Sequence, residues 1–321
     1  MNRREFLVSS AALPVLLAHG GRGLASPRGG SLVLVTADLE SHVVVLSPTS
    51  GRTLARIQTA PGPRSIESVD TRIAVVAHSR YGLVSIVDAA AREVRVEVDG
   101  FTAPRYTAVH PNRSIAYVTD SASEEVVALD VGRGRIVSRT HVPGPARHVS
   151  VSPDGTALWT SLGSKSARLA VLDLRDARRP RLERTIVPPF LAHDVVFAPR
   201  GRHVWVTSGA GHRIALYRAD EREVVRVLAA HRAPQHVAFV GEHVFVASGD
   251  DGTVRVHRLN GDLVRQVEVP VGSYNVTFGD GRAVAPSLSR GTVTLLDERG
   301  HVRAVRRIAR AAHDACVVHP I

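Results

Sequence analysis

The chain has 321 residues, carries 41 lysines and arginines against 30 aspartates and glutamates, and is 44% apolar but only 4% aromatic. That apolar fraction, with 22% charged residues, excludes a disordered chain. The single cysteine, Cys316, excludes an intrachain disulfide framework, a CxxC redox pair, a four-cysteine zinc site and a CxxCH haem attachment. Only Lys165 among the cations is a lysine, and the arginines sit singly in turns and between strands rather than in a stripe with interleaved aromatics, so no nucleic-acid partner is expected.

The first 25 residues read as an address. Asn2-Arg3-Arg4-Glu5-Phe6-Leu7 resembles the twin-arginine signal pattern, and it opens an apolar run from Leu7 to Ala18 that falls well short of the ~20 residues a membrane-spanning helix needs. Gly23-Leu24-Ala25 offers small residues for cleavage after Ala25. The expectation is export as a soluble, extracytoplasmic protein, periplasmic or secreted, with no membrane span, residues 26–30 as a short linker, and a monomeric mature chain. Loss of Arg3, Arg4, Arg22 and Glu5 would lower the formal charge from +11 to +9.

From residue 31 onward the chain repeats. Val35-Thr36-Ala37-Asp38, Val76-Ala77-His78-Ser79, Val118-Thr119-Asp120-Ser121, Thr160-Ser161-Leu162-Gly163, Val206-Thr207-Ser208-Gly209, Val246-Ala247-Ser248-Gly249 and Ala285-Pro286-Ser287-Leu288 follow one another at steps of 41, 42, 42, 46, 40 and 39 residues. One unit shows the content of all. A first strand at His148–Ser152 meets the turn Pro153-Asp154-Gly155, and a second strand runs over Ala157–Ser161. The polar loop Leu162–Ala167 leads to a third strand at Arg168–Asp173, and a fourth occupies Leu182–Val187. Helical periodicity is absent. Seven such units predict an all-β, seven-bladed β-propeller with four antiparallel strands per blade, spanning 31–321. The mature chain begins on a second-strand pattern, Leu32–Thr36, and ends on a first-strand pattern, Ala315–His319, so the C-terminal strand is expected to close the ring on the N-terminal blade. Tyr117, Trp159, Trp205 and Phe245 share one repeat position and are expected to pack between blades.

Ala116-Tyr117-Val118-Thr119-Asp120, with Val126–Asp130 behind it and Pro145–Gly155 in the next unit, resembles the YVTN-repeat β-propeller family. Val204–Ser208 and Val244–Ser248 repeat the same grammar. The resemblance implies the propeller fold; for function it spans metal-handling proteins, haem-binding domains and lactonases.

Candidate chemistry lies where first strands begin around the central channel. Aligning these positions on the following turn gives Arg64, Tyr106, His148, Asp194, His236 and Asn275, with Asp314 fitting after a one-residue shift. Arg105, Arg147, His193, Gln235, Tyr274 and His313 immediately precede them. Imidazoles and carboxylates converging from rigid strands suit zinc or copper, so His148, Asp194, His236, Asn275 and Asp314 form the expected metal set. Arg64, Arg105, Tyr106 and Arg147 form the expected ligand-binding set for a small anion on the opposite rim. The remaining histidines, including His42, His78, His203, His212, His243 and His257, are expected mainly at the surface. No G-x-S-x-G elbow, H-E-x-x-H helix or phosphate loop occurs, and no catalytic residue is assigned. The sequence thus points to an exported binding protein that captures a divalent metal or a small anion at the channel mouth. The alternatives are a lactonase-like hydrolase or lyase using a mouth histidine, and a scaffold that binds a protein on its loop face.

Overall fold

The computed structural model describes residues 30–230 and 232–320; the segment read as a signal peptide lies outside them. The described residues form 28 strands and no helix, in seven four-stranded antiparallel sheets. The innermost strands are β4 (Ser65–Ser68), β8 (Pro104–Val109), β12 (Ala146–Val151), β16 (Val195–Phe197), β20 (Val237–Val240), β24 (Thr277–Gly279) and β28 (Ala312–Val318). In the unit read out above, the strands fall at 146–151, 157–162, 169–173 and 181–186, within two residues of the expected bounds. No helix among the described residues is long and apolar enough to cross a membrane.

Inner and outer strands differ because of where their faces go. A middle strand such as β5 (Ile73–His78) is buried along its whole length, since both of its faces meet neighbouring blades, and so it reads as a continuous apolar run. The outermost strand of the same blade, β7 (Glu93–Val98), is mostly exposed and alternates charge with valine. Seven hydrophobic clusters result, one at each seam between adjacent blades. Trp159 and Trp205 are each 1% exposed and reach across their seams edge-on, Trp159 to Phe197 and Tyr217 at 6.1 and 5.5 Å, and Trp205 to Phe239 at 6.0 Å. Tyr117 and Phe245 are fully buried in the equivalent seams.

The ring closes through β28, which pairs with β1 (Leu32–Ala37) in the register Leu32↔Val318, Val33↔Val317, Leu34↔Cys316 and Val35↔Ala315. The seam between the last blade and the first is packed like the others, with Val33, Val35 and Leu46 against Val284, Val293 and Leu295. Cys316 is a buried free thiol within this closing strand.

The arginines serve the outer turns. Aspartates ending third strands accept hydrogen bonds from turn amides and pair with local guanidiniums, as Asp88 does with Arg72, Asp130 with Arg133 and Arg178, and Asp297 with Arg303. Some turns also need glycine. Gly291 has φ +64°, and a Cβ there would sit 2.0 Å from the Ala309 carbonyl oxygen. Two histidines expected at the surface are instead buried on middle strands. His78 is 0% exposed, with Nδ1 3.1 Å from the Pro61 carbonyl and Nε2 2.9 Å from Ser85 Oγ. His257 is 1% exposed, with Nδ1 3.0 Å from the Gly261 carbonyl. A strand position facing a seam buries whatever side chain it carries, and these imidazoles are tolerated because backbone oxygens meet them.

Candidate metal centre at the channel mouth

Strand pairing defines two rings of side chains where the first strands begin. Ile66 faces Val76 and Ala315 faces Val35, while Thr107, Val149, Val195 and Val237 face Val118, Thr160, Val206 and Val246. The equivalent positions one step earlier are therefore Ser65, Tyr106, His148, Asp194, His236, Asn275 and Asp314, which form a lower ring. Ser65 takes the place expected for Arg64, and Asp314 needs no shift. The hairpin from β4 to β5 is one residue shorter than the hairpin from β12 to β13 (Ala157–Leu162), so alignment on the turn displaces the residue at its far end. Arg64 belongs to an upper ring with Arg105, Arg147, His193, Gln235, Tyr274 and His313.

Second-strand hydroxyls lock these rings to one another. The Thr207 hydroxyl accepts from the Asp194 amide at 3.1 Å and donates to the Gln235 carbonyl of the next blade at 2.7 Å. Thr36, Thr119 and Ser161 do the same between Asp314 and Arg64, Tyr106 and Arg147, and His148 and His193. In four of the seven repeats a hydroxyl thus fixes the relative height of neighbouring first strands. The site residues are held by backbone rather than by loops.

Three imidazoles converge on this frame. One ring nitrogen from each of His148, His193 and His236 lies within 4.8 Å of the others, and the ring centroids are 4.4 Å (148–193), 4.8 Å (148–236) and 5.7 Å (193–236) apart. Tetrahedral ligands at ~2.1 Å from an ion stand about 3.4 Å apart, so modest side-chain rotation completes such a site. His236 Nδ1 faces Asp194 Oδ2 at 3.3 Å, and His193 Nδ1 faces the Ser164 carbonyl at 3.1 Å. An Nδ1–H directed at each oxygen leaves Nε2 as the free lone pair, the arrangement in which metal-binding histidines are oriented by an oxygen behind the ring. His148 is 1% exposed, and both its nitrogens are buried without a hydrogen-bond partner. The backbone of His193 bears weakly on the ring but makes no hydrogen bond of acceptable geometry with it. Burial, then the neighbouring His193 and His236, hold the His148 pKa well below the ordinary imidazole value, and burial with His236 lowers that of His193 to about 4. Both are therefore neutral donors at neutral pH.

The expected metal set divides. His148 and His236 belong to the cluster, and Asp194 orients His236 while its Oδ1 accepts the Val195 amide at 2.8 Å. Asn275 donates its amide to the His313 carbonyl at 2.8 Å, and both Asp314 oxygens accept backbone amides, from Ile66 at 3.1 Å and Ala315 at 2.9 Å. These two side chains are committed to holding the ring. His193 was visible only as the residue preceding Asp194. The available signal was the His-Asp pair, which recurs at 193–194 and 313–314.

The expected anion set does not lie on an opposite rim. Tyr106 stacks on His148 at 4.1 Å between centroids and lies 5.6 Å from His236, and the Arg147 guanidinium carbon is 6.0 Å from the Tyr106 ring. Arg64 is paired with Asp38 at 3.0 Å. Burial, with the charges of Arg147 and Arg64, lowers the Arg105 pKa.

Below the lower ring runs a channel of about 830 Å³ lined by the first strands and reaching His110, Arg113 and His319. Glu67 faces it, and burial together with the nearby Asp314 pushes its carboxyl up to about 8. A carboxyl whose pKa is raised on folding retains its proton in the native state while the unfolded chain has released it, so stability falls as pH rises from about 4.5 to about 8. Glu67→Gln is expected to remove that part of the fall, its advantage over the unaltered protein growing across this window and then levelling off. Urea midpoints at pH 5 and pH 8 test this; parallel pH profiles for the two proteins would refute it.

No protein-family model and no curated protein matches the chain. Solved structures do. A functionally unknown protein from Desulfotomaculum acetoxidans superposes with TM-score 0.79 at 14% identity, over 90% of this chain and 99% of that one. A putative 6-phosphogluconolactonase from Bacteroides fragilis gives 0.74 at 11% identity over 91% and 99%. Hydrazine synthase from Kuenenia stuttgartiensis gives 0.73 at 16% identity over 82% and 91%. At these identities the likeness is one of fold.

Proposed function

We propose that this propeller is an exported metal-binding protein whose ion sits on His148, His193 and His236. The observation that carries the reading is His148: a fully buried imidazole with neither nitrogen paired is costly, and a metal ion meets that cost by accepting a lone pair. Neutral nitrogen donors favour zinc or copper. Three protein nitrogens leave at least one coordination position free, as in ligand-binding and catalytic zinc sites rather than closed structural ones. Tyr106 lies against His148 and Arg147 lies against Tyr106, so an ion held here would have a polar, cationic surrounding suited to a small anionic molecule. The protein stripped by chelator and titrated with Zn²⁺ or Cu²⁺ is expected to bind one equivalent, counted by native mass spectrometry. Absence of uptake of either ion would end this reading.

Export rests on the Arg3-Arg4 pattern and the apolar run behind it. Changing both arginines to lysine should hold the precursor inside the cell; continued passage through the twin-arginine machinery would contradict the assignment.

A further inference from the structure

The metal reading leaves an electrostatic problem that the surrounding residues do not solve. Imidazole ligands bring no charge, so a divalent ion on them is offset only in part, by the Asp194 carboxylate behind His236. The carboxylates around the mouth are already engaged: Asp194 with His236 and the Val195 amide, Asp314 with two backbone amides, and Asp38 with Arg64. Asp250 accepts from the Tyr274 hydroxyl and the Gln235 amide. Arg105 and Arg147 stand in the same mouth, and neither has a carboxylate partner among the described residues. The Nε atoms of both are shielded from water and unpaired. Arg147 lies against Tyr106, whose ring stacks on His148, so this guanidinium and the imidazole cluster flank one aromatic ring.

Guanidinium groups with open donors, beside a cation with an open coordination position, describe a receptor for an oxyanion. We propose that the mouth binds a small molecule through a carboxylate or phosphate group, one oxygen filling the open metal position and the others accepting hydrogen bonds from Arg105 and Arg147. This inference rests on the metal reading and adds the ligand class. Carboxylate and phosphate share the needed chemistry, an oxygen pair matched to a guanidinium fork. Arg64 is outside the receptor because Asp38 already neutralises it. Metal and anion should then favour each other's binding by the same factor.

The test holds free zinc at fixed activity with a chelator buffer and measures zinc affinity without coordinating anions, with acetate, and with inorganic phosphate. At least one of the two is expected to tighten zinc binding tenfold or more, and which one does so distinguishes planar from tetrahedral ligands. In Arg105→Gln/Arg147→Gln that enhancement should vanish, while zinc in anion-free buffer binds as tightly as to the unaltered protein or more so, because two repelling charges are gone. Arg105→Lys/Arg147→Lys should restore part of the enhancement, and unchanged circular dichroism and melting temperature would establish that both variants fold. Zinc binding that ignores both anions, or an enhancement that survives in the glutamine variant, overturns the anion receptor and leaves the metal reading standing. Failure of the unaltered protein to bind zinc or copper at all overturns both.

Discussion

Removing the last eight residues, from Asp314 onward, is expected to abolish cooperative folding. The deleted segment carries Ala315, Cys316, Val317 and Val318, all buried, and their pairing with β1 is, among the described residues, the only strand pairing that joins the last strand to the first blade. Two buried valines at ~1.5–3 kcal/mol each, the smaller apolar groups, and several ladder hydrogen bonds at ~1 kcal/mol each together come to on the order of 10 kcal/mol. That is comparable to the whole stability of a typical domain. The loss also uncovers an apolar edge at Leu32–Ala37 that would invite intermolecular pairing. Insoluble or non-cooperatively melting protein is the expected result, followed by circular dichroism on heating. A truncated protein that melts cooperatively within 5 °C of the full chain (a threshold of about 3 kcal/mol for a chain of this size) would show that the ring does not depend on this strand.

Replacing His193 by alanine is expected to lower zinc affinity by a factor on the order of 100 to 1,000, since loss of a direct ligand exceeds the roughly 10–100-fold cost of losing a group that only orients a ligand. The fold should survive, because His193 is only partly buried and its side chain bonds just one carbonyl, that of Ser164. Asn275→Ala is the informative contrast. Its amide holds the His313 carbonyl, so this change should cost stability while leaving zinc affinity within a fewfold of the unaltered protein. Competition with a chromophoric chelator measures both. The opposite pattern, His193→Ala binding normally and Asn275→Ala losing the ion, would restore the lower ring alone as the ligand set.

Propeller architecture was legible in the sequence because it is a repeat. Each blade must bury both faces of its middle strands, so apolar runs recur at a nearly constant step, and the strand patterns at the two ends fit together only if the ring closes there. The polar character of the mouth was legible too, since one position per blade could be compared across units. Three features were not. The register of Arg64 against Ser65 depended on a hairpin whose turn is one residue shorter, and a turn absorbs such a difference without moving the strand pairing that decides which side chain enters the ring. The burial of His78 and His257 depended on which blade face each strand presents to its neighbour. The imidazole cluster itself draws on both rings. His148 and His236 share the lower one, but His193 precedes β16, where strand alternation no longer dictates its direction, and leans over them from the upper ring. Sequence determined which side chains reach the mouth of this protein. Only the packing of seven blades around one axis decided that three imidazoles meet there, with Asn275 and Asp314 held by backbone instead, because distances between residues on different blades are set by ring geometry and not by spacing along the chain.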